Sequence, residues 1–233
     1  YLKILLQAEG KYGFNLPDKQ LSCAPIRSEE GKKYLGAMQA SANFAWNNRQ
    51  VIMYLAKKSF MQTFNMKESE LGFSLIYDVC HNIAKIEEYN INGKLKNVCV
   101  HRKGATRAFP PGSKLIPEKY RSVGQPVLIP GDMGRYSYIS VGTNKAMEET
   151  FGSSCHGAGR IQSRHKAIKS AKGRNIVKEL NERGITIQAK GMKTIAEEMP
   201  EAYKDVSDVV NVMHSAGISF KVAKIKPFGV IKG

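Results

Sequence analysis

Cysteine, histidine and acidic residues are all scarce in this chain. Cys23, Cys80, Cys99 and Cys155 are scattered through 233 residues with no C-x-x-C pair. That is too sparse for a disulfide scaffold, and a reducing, cytoplasmic setting is expected. Long apolar runs are missing too. Apolar runs such as Pro126-Val127-Leu128-Ile129-Pro130 fall far short of the ~18 residues of a membrane span. No strongly amphipathic basic helix is visible, so no membrane partner is expected. No charged-then-apolar leader opens the chain, so no secretory signal is expected. Tyr1 stands where a start Met would be, which reads as a processed, trimmed or partial chain. No P-loop, G-x-S-x-G elbow or H-E-x-x-H motif occurs. No repeat of solenoid length is evident.

The shortage of acids leaves 36 Lys+Arg against 20 Asp+Glu, a net charge of +16. A field of that sign attracts polyanions such as RNA, DNA and nucleotides. The charge is uneven. From Arg160 to Arg174 the chain reads RIQSRHKAIKSAKGR, without an acid, and Lys221, Lys224, Lys226 and Lys232 repeat the bias. Most such runs are solvated faces. Here the run directly follows a glycine-rich segment, which favours phosphate binding.

What is present has the length of one large domain or two small ones. The apolar share of 42% is enough for a core. Residues 31–64 have helical spacing, with Ser28 as cap and Glu29 and Glu30 in the first turn. Strands are expected at Phe73–Val79, Asn97–His101, Val127–Ile129, Tyr136–Val141, Phe220–Ile225 and Gly229–Ile231. A turn is expected at Asn90–Gly93. Further helices are expected at Lys145–Thr150, Asn175–Glu182, Lys193–Glu198 and Tyr203–His214. Strands and helices mix without a regular βαβ repeat, so the fold class is α+β.

The histidines are His81, His101, His156, His165 and His214. His156 lies in Gly152-Ser153-Ser154-Cys155-His156-Gly157-Ala158-Gly159-Arg160. Small residues there let backbone N–H groups approach a phosphate closely. Neutral imidazole is already nucleophilic near neutral pH, so His156 suits attack on phosphorus or ligation of a phosphate. A hydrogen-bonded turn histidine is the plainer alternative. Pro130-Gly131-Asp132-Met133-Gly134 reads as a tight turn between strands. His101 to Arg107 sets cations beside Gly104 and fits either a phosphate pocket or a solvated turn. Asp78 and His81 stand three apart and could share a metal if the strand bends, but no second ligand cluster accompanies them. Cys80-His81 and Cys155-His156 repeat one dipeptide. A small buried thiol beside a placed histidine is the plain reading, and a metal or redox thiolate the alternative.

Taken together, the segments Asp78–Lys85, His101–Gly112, Gly124–Gly131, Thr150–Arg160, Pro200–Val206 and the terminal Gly229-Val230-Ile231-Lys232-Gly233 resemble the RtcB family of tRNA-splicing 3′-phosphate RNA ligases. The likeness runs in one order from about Leu16 to Gly233. The resemblance implies an RtcB-like fold, mixed strands and helices around a central nucleotide/metal cleft. It implies a GTP- and Mn²⁺-dependent enzyme joining an RNA 3′-phosphate or 2′,3′-cyclic phosphate to a 5′-hydroxyl through a histidine–GMP intermediate. In the matching motif His156 is the catalytic nucleophile and His81 a metal ligand. Asn82, Pro130, Gly131, Asp132, Met133, Ser137, Gly157, Ala158, Gly159, Tyr203 and Lys232 match nucleotide-binding positions. Lys103, Arg160 and Arg164 are expected contacts to RNA phosphates. Family members are longer at the N-terminus, where most metal ligands reside. On that reading residues 1–233 are the C-terminal part of the ligase domain, lacking the metal-binding half. RNA ends, and possibly the missing half, are the implied partners. Asp132 would repel a triphosphate unless Arg135 or a metal paired with it. The competing function is a basic RNA- or nucleotide-binding module derived from the ligase, without catalysis.

Overall fold

The structure is a computed structural model that describes residues 2–189 and 191–231. It divides into two units, Tyr1–Ile76 with Ile83–Lys85, and Tyr77–Asn82 with Ile86–Gly233. Helices and sheets both contribute, which gives the expected α+β class.

The first unit is helical. Helix α1 (Leu2–Tyr12) was not anticipated; it is joined to α2 (Glu29–Phe64) by Lys11, whose ammonium pairs with Glu30 at 2.9 Å. Ser28 caps α2, its hydroxyl accepting from the Gly31 N–H at 3.0 Å, and Glu29 and Glu30 occupy the first turn as read from sequence. A Cβ at Gly31 would lie 2.4 Å from the Pro25 carbonyl oxygen, so only glycine fits where the incoming loop folds over the helix start. Gly36 is different. Nothing lies within 4 Å of a Cβ there. Gly36→Ala should therefore stabilise α2 by roughly 0.5–1 kcal/mol, seen as a higher thermal midpoint of the helical circular dichroism signal. The helix stops at Asn65, in the left-handed conformation, and a single turn α3 (Glu68–Leu71) follows.

The second unit carries the sheets. Strands β1 (Asn82–Ile91) and β2 (Lys94–Lys103) form a hairpin. Its two turn residues, Asn92 and Gly93, both have positive φ, 54° and 77°. That is the turn whose twist matches paired strands, and Asn-Gly encodes it. Strand β3 (Ala105–Arg107) pairs antiparallel with β6 (Ser153–Cys155). Strands β4 (Pro126–Ile129), β5 (Ser137–Gly142) and β7 (Ser219–Ile225) form an antiparallel sheet with β5 central. Helices α4 (Asn144–Glu149), α5 (Arg164–Ser170), α6 (Ile176–Asn181), α7 (Met192–Glu197) and α8 (Val206–Ser215) complete the unit.

Three expectations are corrected. Phe73–Val79 is not a strand. A strand needs a partner's row of hydrogen bonds, and none pairs with it among the described residues. Phe73, Leu75 and Ile76 are exposed instead. Gly229–Ile231 is likewise not a strand. The helix expected from Tyr203 begins at Val206, because the Asp205 carboxylate caps it by accepting from the Ser207 N–H at 2.8 Å. Tyr203 itself bridges to Arg160.

Two apolar clusters hold this unit. The first joins Val127 and Ile129 of β4, Tyr138 of β5, Ala158, and Val206 and Val210 of α8. The second joins Ala167, Ala171, Ile176, Leu180, Ile195 and Met199 from the short helices. Tyr203 packs against both. The glycine-rich segment after β6 is anchored in the first cluster through the buried Ala158.

Candidate active site around His156

Strand β6 ends at Cys155, and β3 pairs with it so that Ala105 faces Cys155. This pairing brings the Lys103-Gly104 turn beside His156. Gly104 has φ of 69°, and a Cβ on it would sit 3.7 Å from His156 Cδ2 and Nε2, so the turn lies against the imidazole edge. The Gly104 N–H donates to the His81 carbonyl at 3.0 Å, which fixes His81 from the other side. The rings of His81 and His156 stack with centroids 4.1 Å apart and planes 1° from parallel. The repeated Cys-His dipeptides of the sequence therefore meet face to face, which sequence spacing did not reveal.

Two imidazoles in van der Waals contact cannot both carry charge cheaply. Burial, then the positive neighbours His81 and Lys103, push the His156 pKa below the ordinary histidine value of 6.5. His156 is consequently the neutral, nucleophilic form through the neutral range. The linkage has a definite sign. A histidine with a depressed folded pKa costs stability as pH falls below its unfolded value. His156 should titrate below 6.5 in an NMR pH series. Its contribution to acid lability should begin as pH drops through 6.5 and vanish in His156→Ala. Burial pushes the adjacent Cys155 thiol up, which keeps it protonated and gives it no thiolate character.

Beyond His156 the chain crosses to the turn between β4 and β5. The Ala158 N–H donates to the Pro130 carbonyl at 3.2 Å, and a Cβ on Gly157 would lie 3.5 Å from the same oxygen. In that turn Asp132 accepts from the Gly134 N–H at 2.8 Å. Its buried carboxylate faces Arg135 Nε at 3.4 Å, which supplies the cation its position requires. Met133 packs on the second apolar cluster, and Ser137 opens β5, paired with Ile225. Gly159 has φ of 74° and open space beside it, and its carbonyl accepts from the Lys204 N–H at 3.0 Å.

Arg160 is held internally. Nη1 reaches Tyr203 Oη at 2.9 Å and Glu198 at 3.3 Å, Nη2 donates to the Glu197 carbonyl at 2.7 Å, and Nε to the Gln162 carbonyl at 3.0 Å. Its guanidinium also lies over the Tyr203 ring at 4.9 Å. The Tyr203 hydroxyl donates to Glu198, and burial with this bond raises its pKa. Glu198, which orients both Tyr203 and Arg160, was not singled out in the sequence. It read only as the end of a helix, and a partner in space leaves no mark in spacing.

The fold thus joins His81, Lys103, Pro130, His156, Gly157, Ala158, Gly159, Arg160 and Tyr203 through successive contacts. Asn82 starts β1, exposed beside His81. Arg164 stands apart on α5, exposed, with Glu197 at 3.8 Å. Lys232 lies outside the described residues. Among the described residues no three of His, Cys, Asp and Glu are grouped to hold a metal ion. No described helix is long and apolar enough to cross a membrane.

Fold and site together define a class, a basic α+β protein presenting a neutral histidine in a glycine-rich segment beside a Lys-Gly turn. The particular family follows from comparison. Residues 1–233 match the family model of the tRNA-splicing ligase RtcB, so the chain belongs to the RtcB family. The match reaches past Leu16, where the resemblance read from sequence began. The chain is 55% identical over 233 residues to the tRNA-splicing ligase RtcB of Archaeoglobus fulgidus, spanning all of this chain and 48% of that protein. The corresponding protein of Methanococcus maripaludis is 54% identical, with 48% of it spanned. That of Pyrococcus abyssi is 53% identical, with 25% of it spanned. The chain therefore spans about half or less of the length of these relatives.

Proposed function

We propose that this chain is the nucleotide-accepting, C-terminal part of a GTP-dependent RNA ligase, without the N-terminal metal-binding half. The observation that carries the reading is His156. It is uncharged at neutral pH, edged by Gly104, and followed by Gly157-Ala158-Gly159, where a phosphate meets little side-chain bulk. An imidazole nitrogen of His156 attacks the α-phosphorus of GTP. A nitrogen–phosphorus bond forms, and pyrophosphate leaves with the electron pair of the broken phosphorus–oxygen bond. An RNA 3′-phosphate oxygen then takes GMP from the histidine, the 5′-hydroxyl attacks the activated phosphate, and GMP departs. Asn82, the turn Pro130, Gly131, Asp132 and Met133, Ser137, and Tyr203 line the nucleotide's place. Lys103 and Arg164 offer charge to RNA phosphates. Arg160 serves chiefly by fixing Tyr203.

The donors described here do not make a Mn²⁺ site. His81 is one proposed ligand, and further donors would come from sequence outside these 233 residues. The charge of +16 favours one second reading, a basic RNA-binding module without catalysis. Incubation with GTP labelled at its α-phosphate and with Mn²⁺, followed by denaturing electrophoresis, separates the readings. Acid-labile label on the chain supports guanylylation by these residues. Label appearing only after addition of the N-terminal half of a relative supports a divided ligase. No label in either case favours the binding module.

A further inference from the structure

The neighbourhood of His156 contains a buried ion pair that the sequence did not single out. Arg102, near the end of β2, and Glu87, on β1, are almost completely buried and joined as a fork, Nη1 to Oε1 at 2.9 Å and Nη2 to Oε2 at 2.8 Å. Arg102 does not stop there. Its Nη2 also donates to the Phe151 carbonyl at 2.8 Å, and its Nε donates to Ser153 Oγ at 2.9 Å. Ser153 Oγ lies 3.2 Å from the same Phe151 carbonyl and donates its own proton there. The Tyr89 hydroxyl reaches both Glu87 Oε2 at 2.9 Å and the Phe151 oxygen at 2.8 Å, and its one proton serves one of them at a time.

This convergence falls at an awkward piece of backbone. Phe151 and Gly152 are consecutive left-handed residues, with φ of 50° and 56°. A non-glycine residue in that region is strained, and it persists only where its surroundings hold it. Directly after it comes β6, three residues long and, among the described residues, paired only with the three of β3. His156 is the next residue. So short a ladder cannot fix its own entry angle.

We infer that Arg102, held by Glu87, is a positioning residue for His156. Its guanidinium pins the Phe151 turn and the first residue of β6, and so sets where that strand delivers the imidazole. The same residue immediately precedes Lys103 and Gly104, which lie against His156 from the other side. One side chain therefore ties together the two segments that meet at the imidazole. Four of the five guanidinium N–H directions are engaged, an arrangement that a lysine cannot reproduce. The role deepens the reading of His156 as nucleophile and rests on it, but the contacts are testable without nucleotide.

The test is the reactivity of His156 toward diethyl pyrocarbonate at about pH 8, where imidazoles are neutral. The rate is read by peptide mass spectrometry relative to exposed His165 in the same molecule. Two variants are compared with the parent chain. Arg102→Lys keeps the buried charge opposite Glu87 and loses the contacts to Phe151 and Ser153. Arg102→Met with Glu87→Gln removes both charges, so that no unpaired ion is buried. A positioning role predicts that the His156-to-His165 ratio shifts in both, by a factor on the order of ten. It also predicts that Arg102→Lys recovers melting temperature better than reactivity. An unchanged ratio in a folded variant with a lowered melting temperature would make the pair purely structural and overturn the inference. Should neither variant fold, Ser153→Ala, which deletes the Nε acceptor on β6 together with its own bond to the Phe151 carbonyl, decides by the same ratio. Because the reagent carries no nucleotide, a failed guanylylation assay leaves this result independent.

Discussion

On the proposed reading, His156→Ala is expected to abolish covalent GMP on this chain under every condition that labels the parent, while RNA binding should keep its affinity and its salt dependence. On that reading the loss is total because none of the described neighbours of His156 can replace it as nucleophile. His81 is the nearest imidazole, but its ring is stacked flat on His156 at 4.1 Å. Its backbone is anchored where it stands, because the Gly104 N–H donates to its carbonyl at 3.0 Å. Cys155, held as a protonated thiol by burial, is a poor substitute. RNA binding is governed differently. Phosphate contacts from the lysines and arginines release counterions, and for single strands the slope of log K against log salt is about −0.7 per contact. Removal of one neutral ring leaves that slope unchanged. Filter binding across a salt series, beside the label assay, measures both. Loss of RNA binding in a folded His156→Ala would show that the two roles are not separable.

Gly131→Ala destabilises the second unit by about 3 kcal/mol, the upper end of ordinary overpacking, or more. The φ of Gly131 is not the cause. A Cβ there would lie 2.2 Å from the Tyr136 carbonyl oxygen and 3.1 Å from Val206 Cγ1. Neither neighbour can retreat. Tyr136 leads directly into β5, whose next residues pair with β7 at Ser137 and with β4 at Tyr138. Val206 is fully buried in the first apolar cluster. The strain must pass into the sheet or push the turn toward the His156 segment, which is tied to it by the Ala158-to-Pro130 hydrogen bond. A lower urea midpoint with an unchanged slope is the expected result. GMP labelling should fall as well, because the displaced turn carries the Asp132–Arg135 pair.

Much of the helical and turn structure was legible locally. Ser28 with Glu29 and Glu30 specified the start of α2, and the Asn92-Gly93 pair specified a hairpin turn, because capping and positive φ are decided within a few residues. Strand assignments were less secure. Phe73–Val79 carried apolar residues but joins no strand ladder among the described residues, while β3 and β6, three residues each, carried no pattern long enough to read. At the site, the order of motifs pointed to His156 and His81 singly. Nothing in their 75-residue separation announced that the rings would stack.

By itself the sequence determined the chemistry available to this protein. It set a strongly positive charge, one histidine among small residues, a family of RNA ligases, and the local start and stop of its longest helix. These follow from composition and from interactions between near neighbours in the chain. The tertiary structure decided which of those groups act on one another. It placed His81 and Gly104 around His156, whose pKa is lowered by burial and then by His81 and Lys103. It turned Arg160 inward onto Tyr203 and Glu198, and recruited the distant Glu87 and Arg102 to hold the Phe151 turn. Burial and electrostatic coupling depend on distances through space, and strand pairing across dozens of residues sets those distances without any signature in the spacing of the sequence.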